Sequence, residues 1–445
     1  MTSASTEQVS PKTLRKVIVA AAIGNFVEWF DFAVYGFLAT TIAQQFFPSG
    51  DSGAALLKTF AVFAVAFAFR PLGGIFFGML GDRIGRKRTL AMTILLMAGA
   101  TTLIGVLPTY AAIGVVAPIL LTLIRCAQGF SAGGEYAGAC AYLMEHAPND
   151  KRAWYGSFLP VSTFSAFAAA AVVAYALEAS LSAEAMGSWG WRLPFLIAAP
   201  LGLVGLYLRW KLDETPAFQA VKEEHGVAHS PLKETLRNHG AAICCLGAFV
   251  SLTALSFYMF TTYFATYLQV AGGLSRATAL LVSLIALIFA AAICPLAGLF
   301  SDRVGRRATV VTACALLIVA VYPSFLMASS GGFAASIVGV MLLAIGAVLC
   351  GVVTAALLSE TFPTRTRYTA SAITYNMAYT LFGGTAPLVA TWLISTTGSN
   401  LSPAFYLIAV ALLALAGGLA LPETSRISLH DVAPQGKGAR VAAAL

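Results

Sequence analysis

Apolar runs of about twenty residues recur along the whole chain, each long enough to cross a hydrocarbon layer ~30 Å thick. Inside such a layer the backbone must satisfy its own hydrogen bonds, which leaves helices or a closed barrel. Barrel strands alternate apolar and polar residues. These runs are continuous and contain Gly and Pro, so the chain is predicted to be all helical. Composition points the same way: 59% of the 445 residues are hydrophobic and 10% charged, whereas a soluble domain carries roughly a quarter charged residues.

Twelve spans follow, at 17–42, 57–81, 89–108, 114–144, 153–177, 190–210, 240–268, 277–300, 308–328, 333–359, 368–396 and 402–421. The chain is polar to Lys16 and then apolar well beyond a signal-peptide core, without a cleavage site, so the first run reads as a retained span. The net charge of +8 is no nucleic-acid signal, because Lys and Arg sit in short clusters between spans, as orientation signals do. With the N-terminus placed in the cytoplasm, the inner connections carry Arg83, Arg86, Lys87 and Arg88, then Lys151 and Arg152, then Arg303, Arg306 and Arg307, then Arg365 and Arg367. The outer connections carry almost none, Lys58 and Arg276 lying near span edges. Both termini are therefore predicted to be cytoplasmic. The seven cysteines form no CxxC pair and read as free thiols.

The longest connection divides the spans six and six. It predicts an N-terminal bundle over 1–210, a linker over 211–239, a C-terminal bundle over 240–421 and a tail over 422–445. Three motifs recur in the same order in the two halves. Gly78-Met79-Leu80-Gly81-Asp82-Arg83-Ile84-Gly85-Arg86-Lys87 is echoed by Gly298-Leu299-Phe300-Ser301-Asp302-Arg303-Val304-Gly305-Arg306-Arg307. Glu145, Pro148 and Arg152 recur as Glu360, Pro363 and Arg367, and Asp213-Glu214-Thr215 as Pro422-Glu423-Thr424. Such echoes indicate duplication of a six-helix unit, and parallel repeats place a solute site near mid-membrane between two rocking halves.

The first echoed motif resembles the signature loop of the major facilitator superfamily, and the resemblance covers essentially the whole chain. A finer likeness rests on Gly24-Asn25-Phe26-Val27-Glu28-Trp29-Phe30-Asp31-Phe32, Arg70-Pro71-Leu72-Gly73-Gly74, the run from Gln128 to Tyr136, and Trp189-Gly190-Trp191-Arg192. With these the chain is similar to the metabolite–proton symporter family. Asp213-Glu214-Thr215-Pro216-Ala217-Phe218 and the run of the first half resemble its proline/betaine transporters. The resemblance implies an all-α facilitator fold in a bacterial inner membrane and proton-coupled symport of a small zwitterionic osmolyte. The proton would be the coupling ion, with no other cofactor; the partners would be the solute, protons and the lipid bilayer, and the default state a monomer. The family also handles dicarboxylates, tricarboxylates and shikimate-like acids, which remain the alternative. Osmosensing members can carry a long heptad-patterned tail. After Pro422 this sequence is rich in Gly, Ala and Pro instead, so osmotic activation by such a tail is not implied.

Ionisable residues inside a membrane cost several kcal/mol unless paired or hydrated, so each is a functional candidate. Here they are Glu28 and Asp31 in span one, Arg70 in span two, and Arg125 and Glu135 in span four. Asn25, Glu28, Asp31 and Tyr35 share one helical face, as do Arg125, Gln128, Ser131 and Glu135. Glu28 and Arg125 each lie roughly 16 Å from opposite ends of their spans at the helical rise, which puts both near the midplane. Asp31, or Glu28, is therefore the expected proton site, with Arg125 setting its affinity. An adjacent cation favours the ionised carboxylate and desolvation the protonated one. Sugar porters of the same superfamily resemble this arrangement, with a proton-binding carboxylate on the first helix near an arginine on the fourth. A permanently ionised pair that only locks the bundle is the plainer reading.

The second half offers neutral groups, Tyr258, Tyr263, Tyr375 and Asn376 among them. Together with Asn25, Trp29, Tyr35, Gln128 and Glu135 they make the expected solute site, whose rings could hold a quaternary ammonium by cation–π attraction. For any single tyrosine core packing is the stronger account. Arg70 and Glu135 could line an inner vestibule or act as gate or scaffold. Gly129, Gly133, Gly134 and Gly138 permit close helix packing without any ligand. At the cytoplasmic end, Asp82, Arg83, Arg86, Glu145, Arg152, Asp302, Arg303, Arg306, Glu360 and Arg367 are expected to form a gate. There Asp82 and Asp302 would accept from helix N-termini or pair with arginines. Orientation signalling alone is the plainer account of the bases. The sequence has no phosphate-binding loop, metal-ligand cluster or nucleophile elbow, so neither ATP-driven transport nor an enzyme is expected. A non-transporting solute sensor is the alternative of another class.

Overall fold

A computed structural model of the chain describes residues 11–48, 51–84, 86–133, 136, 140, 143–144, 147–210, 231–362 and 367–425. Side chains at 11–17, 20–21, 78–79, 81–90, 208–210, 231–238 and 367–369 are outside that description. The first half contains α1 (Pro11–Phe37), α2 (Ala39–Phe46), α3 (Ser52–Ala68), α4 (Arg70–Ile84), α5 (Arg86–Val106), α6 (Val116–Ala132), α7 (Arg152–Gly156), α8 (Phe158–Ser180) and α9 (Leu193–Trp210). The second half contains α10 (Pro231–Tyr258), α11 (Phe264–Val270), α12 (Arg276–Val304), α13 (Arg306–Ser329), α14 (Phe333–Glu360), α15 (Arg367–Ala378), α16 (Ala386–Thr397) and α17 (Ser402–Leu419).

Among the described residues, nine helices are long and apolar enough to cross a membrane. One further span is bent by 62° between α1 and α2, and two shorter apolar helices, Ala91–Val106 and Val116–Ala132, occupy the third and fourth expected positions. Each expected span therefore coincides with an apolar helix. The helices overrun the spans: α10 starts at Pro231, inside the stretch expected to be linker. Hydropathy marks only the buried stretch, whereas helical hydrogen bonding continues into polar turns, and Pro is well suited to a first turn.

The polarity of a soluble protein is inverted. Val319 is 75% exposed on the outside, while Arg70 and Arg125 are 0% exposed within. An apolar exterior around buried charge fits lipid as the surrounding solvent. The two halves meet where α8 packs on α12, α3 on α16, α4 on α15, and α7 on α12 and α14.

Among the described residues, spans one, seven and eleven each depart from regular helix in the middle of the bundle. Span one bends at Leu38, span seven contains a π turn at Met259–Tyr263, and span eleven contains another at Tyr379–Gly383. The first two meet at Gly36. A Cβ there would stand 2.6 Å from Thr262 Cγ2, so only glycine permits this approach. π turns inside helices are frequent at functional sites.

Candidate functional site

The site starts from one face of α1. Asn25 Nδ2 donates to Ser162 Oγ and Thr163 Oγ1, both at 2.7 Å, and its Oδ1 accepts from Trp29 Nε1 at 2.9 Å. This ties α1 to α8 and fixes the indole. Tyr35 donates to the Thr59 carbonyl on α3 at 3.0 Å. Asn25 and Tyr35, expected to meet solute, thus engage neighbouring helices.

Asp31 points from α1 toward α5 and α6. Both carboxylate oxygens are buried without a hydrogen-bond partner. The Thr101 hydroxyl approaches Asp31 but donates to the Met97 carbonyl at 3.0 Å and accepts from Gln128 Nε2 at 2.6 Å. Arg125 acts on Asp31 electrostatically, without an ion pair within 4.0 Å. Its Nη1 donates to Gln128 Oε1 at 2.8 Å, its guanidinium stands 4.2 Å from the Tyr35 ring centroid, and Nε and Nη2 have no partner.

Glu28, one turn earlier, faces a different cation. Arg70 Nη2 lies 3.9 Å from Glu28 Oε1 and 3.5 Å from the Ala132 carbonyl, while Arg70 Nε and Nη1 have no hydrogen-bond partner. Its guanidinium is flanked by Trp29, Phe32 and Phe67 at 6.0, 5.6 and 5.3 Å. Phe32 also lies 5.5 Å from Arg125, so one ring is in contact with both buried cations. Glycine explains how Arg70 comes so far in. A Cβ on Gly129 would fall 1.7 Å from the Ala66 carbonyl oxygen, and one on Gly133 2.0 Å from that of Arg70, so α6 lies backbone to backbone against span two.

Span eleven closes over this region. Asn376 donates to the Gly133 carbonyl at 3.0 Å and Thr380 to the Phe67 carbonyl at 2.9 Å. Tyr375 stacks on Tyr136 at 4.5 Å and on Tyr379 at 3.9 Å. Tyr258, fully buried with an unpartnered hydroxyl, packs against Phe67 at 5.1 Å and Trp29 at 6.3 Å. Tyr258, Tyr375 and Tyr379 all lie within electrostatic reach of Arg70. Tyr263 packs at a tilt against Phe60 and Tyr267. Sequence reasoning flagged Arg70 but not its partner, counted Tyr379 among the neutral groups of the second half, and did not place Phe32, Phe67 or Tyr136 at the site. Aromatic residues carry no burial or partner signal in a chain with 29 Phe and 15 Tyr.

A second cluster lies at the signature-loop end. Asp302 accepts from the N–H groups of Ala153 and Trp154, at 3.0 and 2.9 Å, at the start of α7 in the other half. Arg306 donates to Asp302 at 2.9 Å and to both oxygens of Glu360 at 3.1 and 3.0 Å. Arg152 crosses between the halves to Glu360 at 3.4 Å and also bonds Asn149. Thr424 donates to Glu360 at 2.7 Å, and Glu423 accepts from the N–H groups of Arg306 and Arg307 at 2.8 and 3.0 Å. Arg303 is exposed. Glu135 and Glu145, and the side chains of Asp82, Arg83, Arg86 and Arg367, lie outside the described residues. At the opposite end Arg276 bonds Thr41 at 3.4 Å and Gln44 at 3.2 Å, so the halves touch at both ends.

Residues 21–387 and 295–443 match the sequence model of the Major Facilitator Superfamily. The chain belongs to this superfamily. Among curated relatives, this facilitator is 39% identical over 431 residues to the glycine betaine/proline/ectoine/pipecolic acid transporter OusA of Dickeya dadantii, covering 95% of this chain and 86% of the relative. It is 38% identical to the proline/betaine transporter of Escherichia coli K12, with the same coverage. To the ectoine/proline transporter ProP of Corynebacterium glutamicum it is 37% identical, over 94% of this chain and 86% of the relative. These relatives are transporters, and the chain is a transporter rather than an enzyme. Among solved structures, the proton:xylose symporter XylE bound to 6-bromo-6-deoxy-D-glucose matches with a TM-score of 0.77 at 17% identity, covering 95% of this chain and 99% of that one. That likeness carries the fold.

Proposed function

We propose that this facilitator is a proton-coupled symporter of a small zwitterionic osmolyte such as proline or glycine betaine. It works by alternating access in a bacterial inner membrane, with both termini in the cytoplasm, as a monomer of two six-helix halves over 1–210 and 240–421. One observation carries the coupling: Asp31, buried at mid-bundle beside Arg125, has both oxygens without a hydrogen-bond partner. A buried carboxylate left this way is unfavourable as an ion and ready to take a proton. The osmolyte class rests on the names of relatives that match 94% or more of this chain.

In the cycle, opening of the outer side admits solute and proton together. With Asp31 protonated, the charge beside Arg125 is removed and the solute-loaded bundle can rock. The network of Asp302, Arg306, Glu360 and Arg152 is the cytoplasmic gate, closed while the outer side opens and broken when the inner side opens. By sequence alone, Glu145 and the side chains of Asp82, Arg83, Arg86 and Arg367 belong to the gate, and Glu135 to the solute site.

The test is uptake by purified protein in liposomes with an inward proton gradient and labelled glycine betaine, proline, 2-oxoglutarate and citrate. Gradient-driven uptake of betaine or proline is expected. Uptake of only the carboxylates would replace the osmolyte with an organic acid and keep the coupling. Uptake indifferent to the gradient would end the symport reading, and binding without uptake would make the chain a sensor.

A further inference from the structure

The mid-bundle holds two acid–base couples rather than one. Among the described residues, Asp31 with Arg125 forms one and Glu28 with Arg70 the other, and the Phe32 ring lies 5.5 and 5.6 Å from the two guanidiniums. If the first couple handles the proton, the second is a pair of opposite charges deep in a membrane protein with no assigned task. We propose that Arg70 and Glu28 form the cradle for the zwitterion: Arg70 takes the substrate carboxylate, and Glu28 with the flanking rings takes its cationic nitrogen. The assignment rests on the transport reading above.

Three observations support it. The Arg70–Glu28 separation is 3.9 Å, well beyond the 2.7–2.9 Å of a charge-assisted hydrogen bond. Coulomb attraction therefore holds the pair without the donors being spent. Arg70 Nε and Nη1 are fully buried and unpartnered, and so is the hydroxyl of Tyr258 within electrostatic reach. These are hydrogen-bond donors without an acceptor, and a carboxylate accepts from an arginine nitrogen on one oxygen and from the tyrosine hydroxyl on the other. The surroundings supply the complement, because Trp29, Phe32 and Phe67 already flank a cation at 5.3–6.0 Å. Rings of this kind also attract a substrate ammonium.

Charge balance favours a zwitterion over an ion. Inserting one between Arg70 and Glu28 exchanges one internal pair for two, and the net charge at the membrane centre does not change. An anion or a cation alone would leave one partner of the pair exposed to low dielectric. Arg125 fits the carboxylate less well, since it acts on Asp31, the acid assigned to the proton, and Gln128 holds its Nη1 at 2.8 Å against the looser 3.5 Å of Arg70 Nη2 to the Ala132 carbonyl. Position also favours Arg70. Its neighbour across α6, Gly133, is bonded by Asn376 of the second half, so a ligand on Arg70 touches both rocking units.

The test is equilibrium binding by titration calorimetry, in detergent at fixed pH, so that no gradient enters. The probes are glycine betaine, proline, choline (the cation without the carboxylate) and succinate. Wild type should bind betaine or proline at least about 100-fold more tightly than choline or succinate, because a site built for a polar group rejects analogues lacking it. Arg70→Gln combined with Glu28→Gln removes the couple without stranding a charge. It should lose about 100-fold for the zwitterions, both ends of which it no longer holds. Arg70→Lys keeps the charge but not the fork and should lose about tenfold. It also decides the matter should the double variant fail to elute as a monodisperse peak. A folded double variant, or Arg70→Lys, that binds betaine within threefold of wild type overturns the cradle and leaves the transport reading intact. Wild type that binds succinate but neither zwitterion overturns both.

Discussion

The mid-bundle cluster and the signature-loop cluster are built from the same residue types but finished differently. At the loop end Glu360 receives Arg306 on both oxygens, Arg152 from the other half and the Thr424 hydroxyl, while Asp302 is met by two backbone N–H groups and Arg306. At mid-bundle, Asp31, two nitrogens on each of Arg70 and Arg125, and the Tyr258 hydroxyl are buried without a hydrogen bond. Satisfied buried networks stiffen a structure, whereas unsatisfied ones are costly and persist where a ligand or proton completes them. The difference separates what holds this protein in one state from what it is built to bind.

The largest effect is expected at Glu360. Glu360→Gln leaves Arg152 and Arg306 buried with one carboxylate fewer, and breaking such a pair from one side costs about 3–5 kcal/mol. The variant should melt well below wild type in detergent while its affinity for solute changes little. A drop in solute affinity without a drop in stability would place Glu360 in binding and dissolve the contrast.

Asp31→Asn reverses the signature. The substitution keeps the shape and removes an ion that has no hydrogen bond, so the variant should be no less stable than wild type. Its loss is in coupling. A gradient of 100 mV supplies about 2.3 kcal/mol per proton, roughly a 50-fold accumulation, and the variant should equilibrate solute without accumulating it. Counterflow of labelled solute in liposomes separates this from loss of binding. Retained accumulation would move the proton to another group.

Much of this could be read from the residues. The twelve apolar runs and the repeated motifs specify the helices and their duplication, because the lipid leaves the backbone no other solution. Asp302 at a helix N-terminus was also legible, since an acid kept among bases asks for a donor. The pairing was not. Depth along separate helices placed Glu28 and Arg125 at one level, yet the structure brings Arg70 to Glu28. The shift comes from the contacts of Gly129 and Gly133 with span two, where close approach draws Arg70 inward. Helical rise fixes height; it says nothing of which faces meet. The link from Arg152 to Glu360 was open for the same reason: both were expected in the gate, but an echo between halves does not say which side chains meet.

The smallest effect belongs to Glu423, exposed beyond the last span. Burial alone would raise its carboxyl, but the N–H groups of Arg306, Ser425 and Arg307 outweigh that and hold it below the usual carboxylate range. A carboxyl depressed in the folded state adds stability above its unfolded pKa of about 4.3 and loses it as pH falls through the folded value. Glu423→Gln should therefore cost about 0.5–1 kcal/mol at neutral pH, the size of a lost helix cap, with solvent screening keeping it at the lower end. The gap between variant and wild type should close as pH falls below the carboxylate range. Melting curves at pH 7 and pH 3 measure this directly. A gap unchanged at pH 3 would mean that shape, not charge, holds the loop. Solute affinity should stay constant throughout, because Glu423 belongs to the cluster that holds the bundle and not to the one that binds.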